Sequence, residues 1–234
     1  MKILLLTNLY PPHLADTDDQ RCQNITEALR LRGHAVCVLT SNHGLTTDQR
    51  DALVERRLHL NGAFGAPAIS SLSGLKHLEM HNQTVLRETL AAFRPDVVHV
   101  WSLRGLSKSL LLTLRRAGLP TVFDVSDNWI ASEVRTDPWL AWWHREQMPL
   151  PVKLQRLAAE LFGQRRKWNA ETPTFIQPGV KRLPEIFDPE PDAQPKPNAM
   201  AHFQFRRIYF SSEALKSLTM SAGFRVGEGT IIHP

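Results

Sequence analysis

The chain has 234 residues, of which 42% are hydrophobic, and its formal net charge is +5 at pH 7. A chain of this length suits one large α/β domain and buries roughly 70–75% of its unfolded surface, so a stable core is expected. The basic excess favours anionic partners such as phosphates, nucleotides or acidic lipid surfaces, but a solvated basic surface is the more common explanation.

The cysteine content and the N-terminal residues bear on the cellular compartment of the protein. Cys22 and Cys37 have no metal-ligand spacing, so we predict neither a disulfide framework nor a zinc site, and both thiols are expected to be reduced and packed. Met1 and Lys2 lead directly into an apolar strand rather than a signal peptide, and no apolar run approaches the ~18 residues of a transmembrane helix. We therefore expect a cytoplasmic protein, and no cofactor is predicted.

The first forty residues predict a strand, a helix and a second strand. Ile3–Thr7 is an unbroken apolar run, typical of a central parallel strand buried on both faces. Asp18–Arg32 has the period of an amphipathic helix, and Gly33 stands where a left-handed C-cap is expected. Ala35–Thr40 is the second strand. Such a βαβ unit crosses over right-handed.

The same alternation continues along most of the chain. Leu53–Leu60 alternates loosely and predicts a shorter strand near the sheet edge. The remaining predicted elements are the strands Val97–Trp101, Thr121–Val125, Ile208–Phe210 and Thr230–Ile232 and the helices Leu75–Arg94, Leu106–Ala117 and one that starts at Ser211 or Ser212 and ends at Gly223. The fold class is therefore α/β, a Rossmann-like, doubly wound and mainly parallel sheet.

Between residues 129 and 205 the alternation stops. This stretch is rich in tryptophan, contains a predicted helix at Val152–Trp168, and continues into the proline-rich segment Glu185–Asn198, which we expect to be irregular. Trp139, Trp142 and Trp143 are spaced to share one face of a helix. Such a face could stack on an acceptor or lie at a membrane interface, but it is more commonly part of the hydrophobic core. We predict an insertion or helical side-lobe.

Several nucleotide-binding and hydrolase motifs are missing. The loop after the first strand, Asn8–Asp16, contains no glycine, whereas a dinucleotide-binding fold places G-x-G-x-x-G there. The chain also lacks a G-x-x-x-x-G-K-[S/T] loop and a G-x-S-x-G elbow. Binding of NAD or FAD, P-loop chemistry and α/β-hydrolase chemistry are therefore disfavoured.

Six short motifs along the chain match one known family pattern. They are Tyr10-Pro11-Pro12-His13, Ala28-Leu29 with Arg32-Gly33-His34, Arg94-Pro95-Asp96-Val97-Val98-His99, Gly118-Leu119-Pro120-Thr121-Val122, Phe210-Ser211-Ser212 and Ile231-Ile232-His233-Pro234. Together they resemble the N-terminal domain of GT-B glycosyltransferases of family 4. The resemblance spans nearly the whole chain and is weakest between Trp129 and Phe205.

The resemblance implies a two-domain enzyme that transfers a sugar from a nucleotide-sugar donor to an acceptor, with retention of configuration and no required metal. Its N-terminal domain mainly holds the acceptor, a sugar or a lipid-linked compound. Residues 1–234 are then one such N-terminal domain, the C-terminal donor-binding domain is expected to be absent from this chain, and the isolated chain is expected to be inactive. Peripheral contact with the inner face of the membrane is a further expectation, and no nucleic-acid partner is predicted.

The chain departs from the family pattern at three places. Ala15-Asp16 replaces a Gly-Gly pair, which adds a Cβ and a negative charge where the family brings backbone N–H groups close to a phosphate. Ser126-Asp127 stands where many members have a histidine before the aspartate, and Trp101 stands where a second histidine often occurs. At the second of these places the acid of the family pattern, Asp127, is still present.

Candidate site residues follow from the strand ends and from the resemblance. Asp127 and Asn128 come directly after a strand, at the edge where open α/β sheets bind ligands, and Asp127 either contacts the acceptor or caps the next helix. His99 lies inside an apolar strand and is predicted to be a hydrogen-bonded core residue. The predicted site comprises Asp127 as catalytic residue and His13, Ala15, Asp16, Trp101, Ser102, Asn128 and Ser211 as substrate-binding residues, with no metal ligand.

Two other functions remain open at this stage. A non-catalytic ligand-binding or interaction domain of the same fold is compatible with the Ala15-Asp16 replacement and with a chain that holds one domain. An NAD-dependent oxidoreductase is weakly supported because the glycine-rich loop is missing.

Overall fold

A computed structural model gives the architecture. It describes residues 1–13, 17–45, 53–134, 136–140, 150, 154, 157, 158, 203, 205–227 and 229–233. The predicted irregular segment Glu185–Asn198 and the candidate residues Ala15 and Asp16 lie outside the described residues, as does almost all of the predicted helix Val152–Trp168.

Seven parallel strands form one sheet in the order β3-β2-β1-β4-β5-β6-β7. The strands are β1 (Lys2–Leu6), β2 (Ala35–Ser41), β3 (Val54–Leu58), β4 (Val97–Val100), β5 (Thr121–Val125), β6 (Ile208–Phe210) and β7 (Thr230–Ile231). The first strand pairs with β2 on one side and β4 on the other, and β3 lies at the edge as predicted. The predicted fold class, an α/β Rossmann-like sheet, is confirmed.

Five helices have defined bounds within the described ranges. They are α1 (Thr17–Leu31), α2 (Leu72–Phe93), α3 (Ser109–Arg116), α4 (Trp129–Glu133) and α5 (Glu213–Ser221). The Ser212 side chain accepts the Leu215 N–H at 3.3 Å, which confirms Ser212 as one of the two predicted caps of α5. None of the described helices combines the length and the apolar composition needed to cross a membrane.

Two helix starts differ from the sequence prediction. Helix α2 begins three residues earlier than predicted, because Ser71 accepts the Gly74 N–H at 3.2 Å and caps it there. Helix α3 begins at Ser109 rather than Leu106, because the backbone N–H of Lys108 donates to Asp137 at 2.8 Å and holds the preceding residues in a turn. Tertiary contacts therefore set these two boundaries.

Alternate side chains of the central strand enter two hydrophobic clusters. Leu4 and Leu6 pack with residues of α2 and α3, whereas Ile3 and Leu5 pack with residues of α1, among them the buried thiol of Cys22. This alternation follows the two-residue period of a strand. Both cysteines are free and buried, as predicted. The sheet is therefore covered on both faces, which explains the unbroken apolar run of β1.

An ion pair ties α1 to the sheet. Arg21 of α1 contacts Asp124 of β5, and the two side chains are 16% and 12% exposed. The Arg21 guanidinium also lies 4.6 Å from the centre of the Trp101 ring, within the range of a cation–π contact. Removing one partner of an ion pair that is this little exposed costs more free energy of unfolding than removing one partner of a solvent-exposed pair.

We expect Asp124→Asn to lower the free energy of unfolding by about 2 kcal/mol, which is less than the roughly 3–5 kcal/mol of a fully buried pair. The matched control is Glu88→Gln, which removes an acid that pairs with Arg57 while 54% exposed and should lose less than about 1 kcal/mol. Urea denaturation followed by tryptophan fluorescence measures both. Equal losses for the two variants would show that burial does not strengthen the Arg21 pair.

Candidate functional site

The carboxyl ends of β1, β4 and β5 meet at one edge of the sheet. The chain crosses from β1 to β2 in one direction and from β3 to β4 in the other, so a crevice opens beside β1. Backbone bonds join the loops there: the N–H of Asn8 donates to the carbonyl of Ser102 at 2.9 Å, and the N–H of Ser41 donates to the carbonyl of Asn8 at 3.2 Å. The loops that follow β1, β2 and β4 are therefore fixed relative to one another.

Asp127 is held at this edge by two hydrogen bonds. The Ser102 hydroxyl donates to Asp127 Oδ2 at 2.8 Å, and the Trp129 N–H donates to Asp127 Oδ1 at 3.2 Å. Burial raises the pKa of the Asp127 carboxyl, and these two donors oppose that rise. Asp127 therefore satisfies the first N–H of α4, which is the capping role expected of it, while Ser102 orients its other oxygen. Contact with an acceptor stays a prediction.

A small recess adjoins this pair. Thr7, Asn8, Trp101, Ser102 and Asp127 are among the residues that line it, and its volume is only about 20 Å³. Small-molecule sites usually enclose about 300–1,000 Å³. The recess alone is therefore too small to hold a sugar.

Trp101 and His99 belong to the core beneath α1. Trp101 is 3% exposed, its ring centre lies 5.5 Å from that of His99, and it packs in the same cluster as Ile3 and Leu5. Burial and the nearby Arg21 guanidinium lower the pKa of His99 to about 4, so its ring is neutral at pH 7. His99 is therefore a core residue, as predicted, although no partner of its Nε2 lies among the described residues.

The other described candidates are His13, Asn128 and Ser211. His13 forms an isolated β-bridge with Tyr10 and packs against Gly44, where an added Cβ would be 2.6 Å from His13 Nδ1. Asn128 is exposed and makes no side-chain cap bond to α4. The N–H of Ser211 donates to the carbonyl of Val125 at 3.0 Å, at the end of β6. None of these three residues lines the recess.

A larger cavity lies beside the recess. Its volume is about 570 Å³, and it lies between the start of α2, the segments 61–70 and 105–108, and residues 133–139. The exposed residues Gly62, Ala68, Ser70, Thr136 and Pro138 are at its rim, and the buried residues Leu75, Leu78, Glu79, Leu106, Ser107, Lys108 and Trp139 are deeper. The mixture of apolar walls and a few polar groups is typical of a small-molecule site.

One buried lysine organises this cavity. Lys108 Nζ donates to Glu133 Oε2 at 2.8 Å and to the Leu106 carbonyl at 2.9 Å, and its side chain is only 3% exposed. Asp137 accepts the backbone N–H groups of Lys108 and Leu140, at 2.8 and 2.9 Å. These bonds hold α4 and the following turn against the loop that carries Ser102.

A buried glutamate lies at the floor of the same cavity. Glu79 Oε1 accepts hydrogen bonds from Gln83 Nε2, at 2.9 Å, and from the Ser109 hydroxyl. Its second oxygen, Oε2, is buried and has no partner among the described residues. Burial raises the pKa of Glu79 to about 7. The buried network behind the cavity wall therefore leaves one glutamate oxygen without a hydrogen bond among the described residues.

Comparison with protein families identifies the chain. Residues 19–149, more than half of the sequence, match the family model described as "Glycosyl transferase 4-like domain". The chain belongs to this family. The matched range includes Ser102, Asp127 and the residues of the larger cavity, and it confirms the resemblance drawn from the motifs. No curated protein matches the sequence significantly.

Two solved glycosyltransferases align with this glycosyl transferase 4-like domain at low similarity. The crystal structure of glycosyltransferase VinC in complex with DTDP is 15% identical, with a TM-score of 0.35, and the alignment covers 62% of this chain and 39% of that one. The structure of SsfS6, a Streptomyces sp. SF2575 glycosyltransferase, is 16% identical, with a TM-score of 0.33, and the alignment covers 79% of this chain and 48% of that one. The domain therefore spans less than half the length of either protein.

The sequence interpretation missed Glu79, Lys108, Glu133 and Asp137. A signal for Glu79 was present: it falls within the stripe of Leu75, Leu78 and Leu86 on the predicted helix, where an apolar residue is expected. No comparable pattern marks the other three, because their contacts join segments that are distant in sequence.

The raised pKa of Glu79 gives a test through stability. Between about pH 4.5 and 7 the folded protein keeps a proton on Glu79 that the unfolded chain releases, since its pKa is about 7 instead of 4.5. The stability that this proton provides is complete below pH 4.5, is lost as the pH rises through 7, and amounts to about 3 kcal/mol. The stability of Glu79→Gln relative to the unmodified domain should therefore increase with pH by about that amount.

Urea denaturation at pH 4.5, 6 and 8 measures the difference in free energy of unfolding. Glu88→Gln, on the exposed side of the same helix, is the control and should change the free energy of unfolding by less than about 1 kcal/mol at each pH, because its ion pair with Arg57 is exposed. A constant difference for Glu79→Gln as well would mean that Glu79 does not titrate near neutral pH.

Proposed function

We propose that this glycosyl transferase 4-like domain is the acceptor-binding half of a retaining glycosyltransferase that uses a nucleotide-sugar donor. The observation that carries the proposal is the hydrogen-bonded Ser102–Asp127 pair. It lies at the carboxyl edge of the sheet in a chain that belongs to a glycosyltransferase family. A carboxylate at this edge is well placed to accept a hydrogen bond from an acceptor hydroxyl.

Asp127 would act mainly by positioning. Sugar transfer requires the acceptor hydroxyl to lie close to the anomeric carbon as the bond to the diphosphate breaks, so orientation supplies much of the rate. The bond from Ser102 and the bond from the Trp129 N–H fix the two carboxylate oxygens of Asp127. A carboxylate held in this way loses little freedom when it binds a hydroxyl.

We propose that the donor nucleotide is bound outside residues 1–234, by a C-terminal domain of the kind the motif resemblance implies. The described part of the loop after β1, Thr7–His13, contains no glycine that would let its backbone N–H groups approach a diphosphate. A cytoplasmic location and contact with a lipid-linked acceptor or a membrane surface belong to the same proposal. The net charge of +5 supports only the contact with an anionic membrane surface.

In the full-length protein, Asp127→Asn should reduce kcat/KM by roughly 100-fold or more if its carboxylate takes part in transfer. Its free energy of unfolding should fall by no more than about 1 kcal/mol, because the amide oxygen still accepts the Trp129 N–H. Mass spectrometry of consumed nucleotide sugars and thermal melting measure the two effects. The control is Glu88→Gln, which removes an exposed carboxylate of α2 outside the candidate site and should keep its activity. Unchanged activity of Asp127→Asn with a lower Tm would leave Asp127 as a cap only.

Residues 1–234 alone should bind uridine and guanosine diphosphate sugars more weakly than micromolar and transfer no sugar, since the groups that stabilise the departing diphosphate lie outside them. Isothermal titration calorimetry and assays of nucleotide release check this. Micromolar affinity, or turnover by the isolated chain, would contradict the proposed division between the two halves.

A further inference from the structure

The loop after β4 carries Ser102 and is held on one side by Asn8. The N–H of Asn8 donates to the Ser102 carbonyl at 2.9 Å, and the Asn8 Nδ2 donates to the Arg104 carbonyl at 3.2 Å. Both bonds hold carbonyl groups of the loop. The position of its side chains, the Ser102 hydroxyl among them, therefore depends on further partners.

Glu133, the last residue of α4, binds the same loop at three points. Its Oε2 accepts the Gly105 N–H at 3.0 Å and the Lys108 Nζ at 2.8 Å, and its Oε1 lies 3.5 Å from the Arg104 Nε. The Glu133 side chain is 27% exposed, and that of Lys108 is 3% exposed. All three partners lie within residues 104–108, directly after Ser102, so one carboxylate gathers this segment.

The other end of α4 is bound to the loop through Asp127. The Trp129 N–H donates to Asp127 Oδ1 at 3.2 Å, and the Ser102 hydroxyl donates to Asp127 Oδ2 at 2.8 Å. The Arg104 N–H in turn donates to Ser102 Oγ at 3.3 Å. The loop and α4 are therefore joined at both ends of the helix, by Asp127 at its start and by Glu133 at its end.

We propose that Glu133 is a positioning residue, which holds segment 104–108 against α4 and thereby keeps the Ser102 hydroxyl on Asp127. A helix of five residues has little stability of its own, so its place relative to the loop depends on the bonds at its two ends. A hydrogen bond of 2.8 Å weakens steeply when donor and acceptor move apart or lose alignment. Glu133 acts through the loop and does not itself bond to Asp127 or Ser102 among the described contacts.

Two variants of Glu133 separate its charge from its hydrogen bonds. Glu133→Gln and Glu133→Ala both remove the negative charge, which by itself raises the pKa of Asp127. The Gln oxygen can still accept the Gly105 N–H, whereas Ala offers no acceptor. The bond from Ser102 lowers the pKa of Asp127, so losing it raises that pKa. The pKa of Asp127 should therefore be higher in Glu133→Ala than in Glu133→Gln.

A ¹³C NMR titration of residues 1–234 measures this pKa, with the Asp127 carboxyl signal assigned by its absence in Asp127→Asn. Ser102→Ala is the reference, because it removes the hydroxyl directly and should raise the Asp127 pKa. When Ser102→Ala is combined with either Glu133 variant, the difference between Ala and Gln should disappear, since no Ser102 bond is left to lose. Glu88→Gln, which removes an exposed acid of α2, should leave the Asp127 pKa unchanged.

A second background covers the case in which Glu133→Ala does not fold because the charge of Lys108 is left buried without its carboxylate. Lys108→Met removes that charge, and the same comparison of Ala with Gln at position 133 is then made there. The proposal is overturned if the two variants give the same Asp127 pKa, or if their difference persists without the Ser102 hydroxyl.

A consequence for transfer rests on the proposed function, whereas the pKa comparison does not. In the full-length protein, Glu133→Ala should lower kcat at least tenfold relative to Glu133→Gln with little change in KM, because a misplaced Asp127 orients the acceptor hydroxyl poorly. Equal kcat values together with the expected pKa difference would contradict the role of Asp127 in transfer and leave the positioning by Glu133 intact.

Discussion

The pairing of β1 with β2 on one side and β4 on the other is the constraint on which the rest of this domain depends. Because all seven strands are parallel, their carboxyl ends lie at one edge, and the reversal of direction at β1 separates the loops that follow β1 and β4. The backbone bond from Asn8 to Ser102 then fixes the distance between those loops. The Ser102–Asp127 pair and the larger cavity both result from this arrangement.

The loop after β4 links the two parts of the candidate site. Its first residues hold Asp127 through Ser102, and its last residue, Lys108, binds Glu133 and Asp137 from the chain that follows β5. A buried ion pair adds little net stability, because desolvating the charges offsets their attraction. Its effect here is on geometry: removing Glu133 would leave the buried charge of Lys108 without its carboxylate partner and loosen the wall of the cavity. The geometry of the candidate site therefore depends on a residue that does not need to touch a ligand.

The strands could be predicted from the sequence, and the polar groups of the cavity, apart from Glu79, could not. Runs such as Ile3–Thr7 and Val97–Trp101 are apolar enough to leave one interpretation, since a strand covered on both faces needs no alternation. Asp127 was found because it follows such a run directly. Lys108 was missed because its partners lie 25 and 29 residues away, and helical or strand periodicity carries no information about contacts at that separation. The start of α3 was misplaced for the same reason.

The net charge of the protein is positive, whereas the charge within the cavity is negative. The local charge decides which ligands the cavity favours. A net charge of +5 favours anionic partners for the protein as a whole. Salt screens exposed charges beyond about 8 Å under physiological conditions, so distant arginines and lysines contribute little inside the cavity. The charged groups that line or adjoin the cavity are Glu79, Asp137, the Lys108–Glu133 pair and Arg104, which lies 3.5 Å from Glu133, and their sum is negative when Glu79 is ionised. The positive net charge of the protein therefore does not indicate an anionic ligand for the cavity.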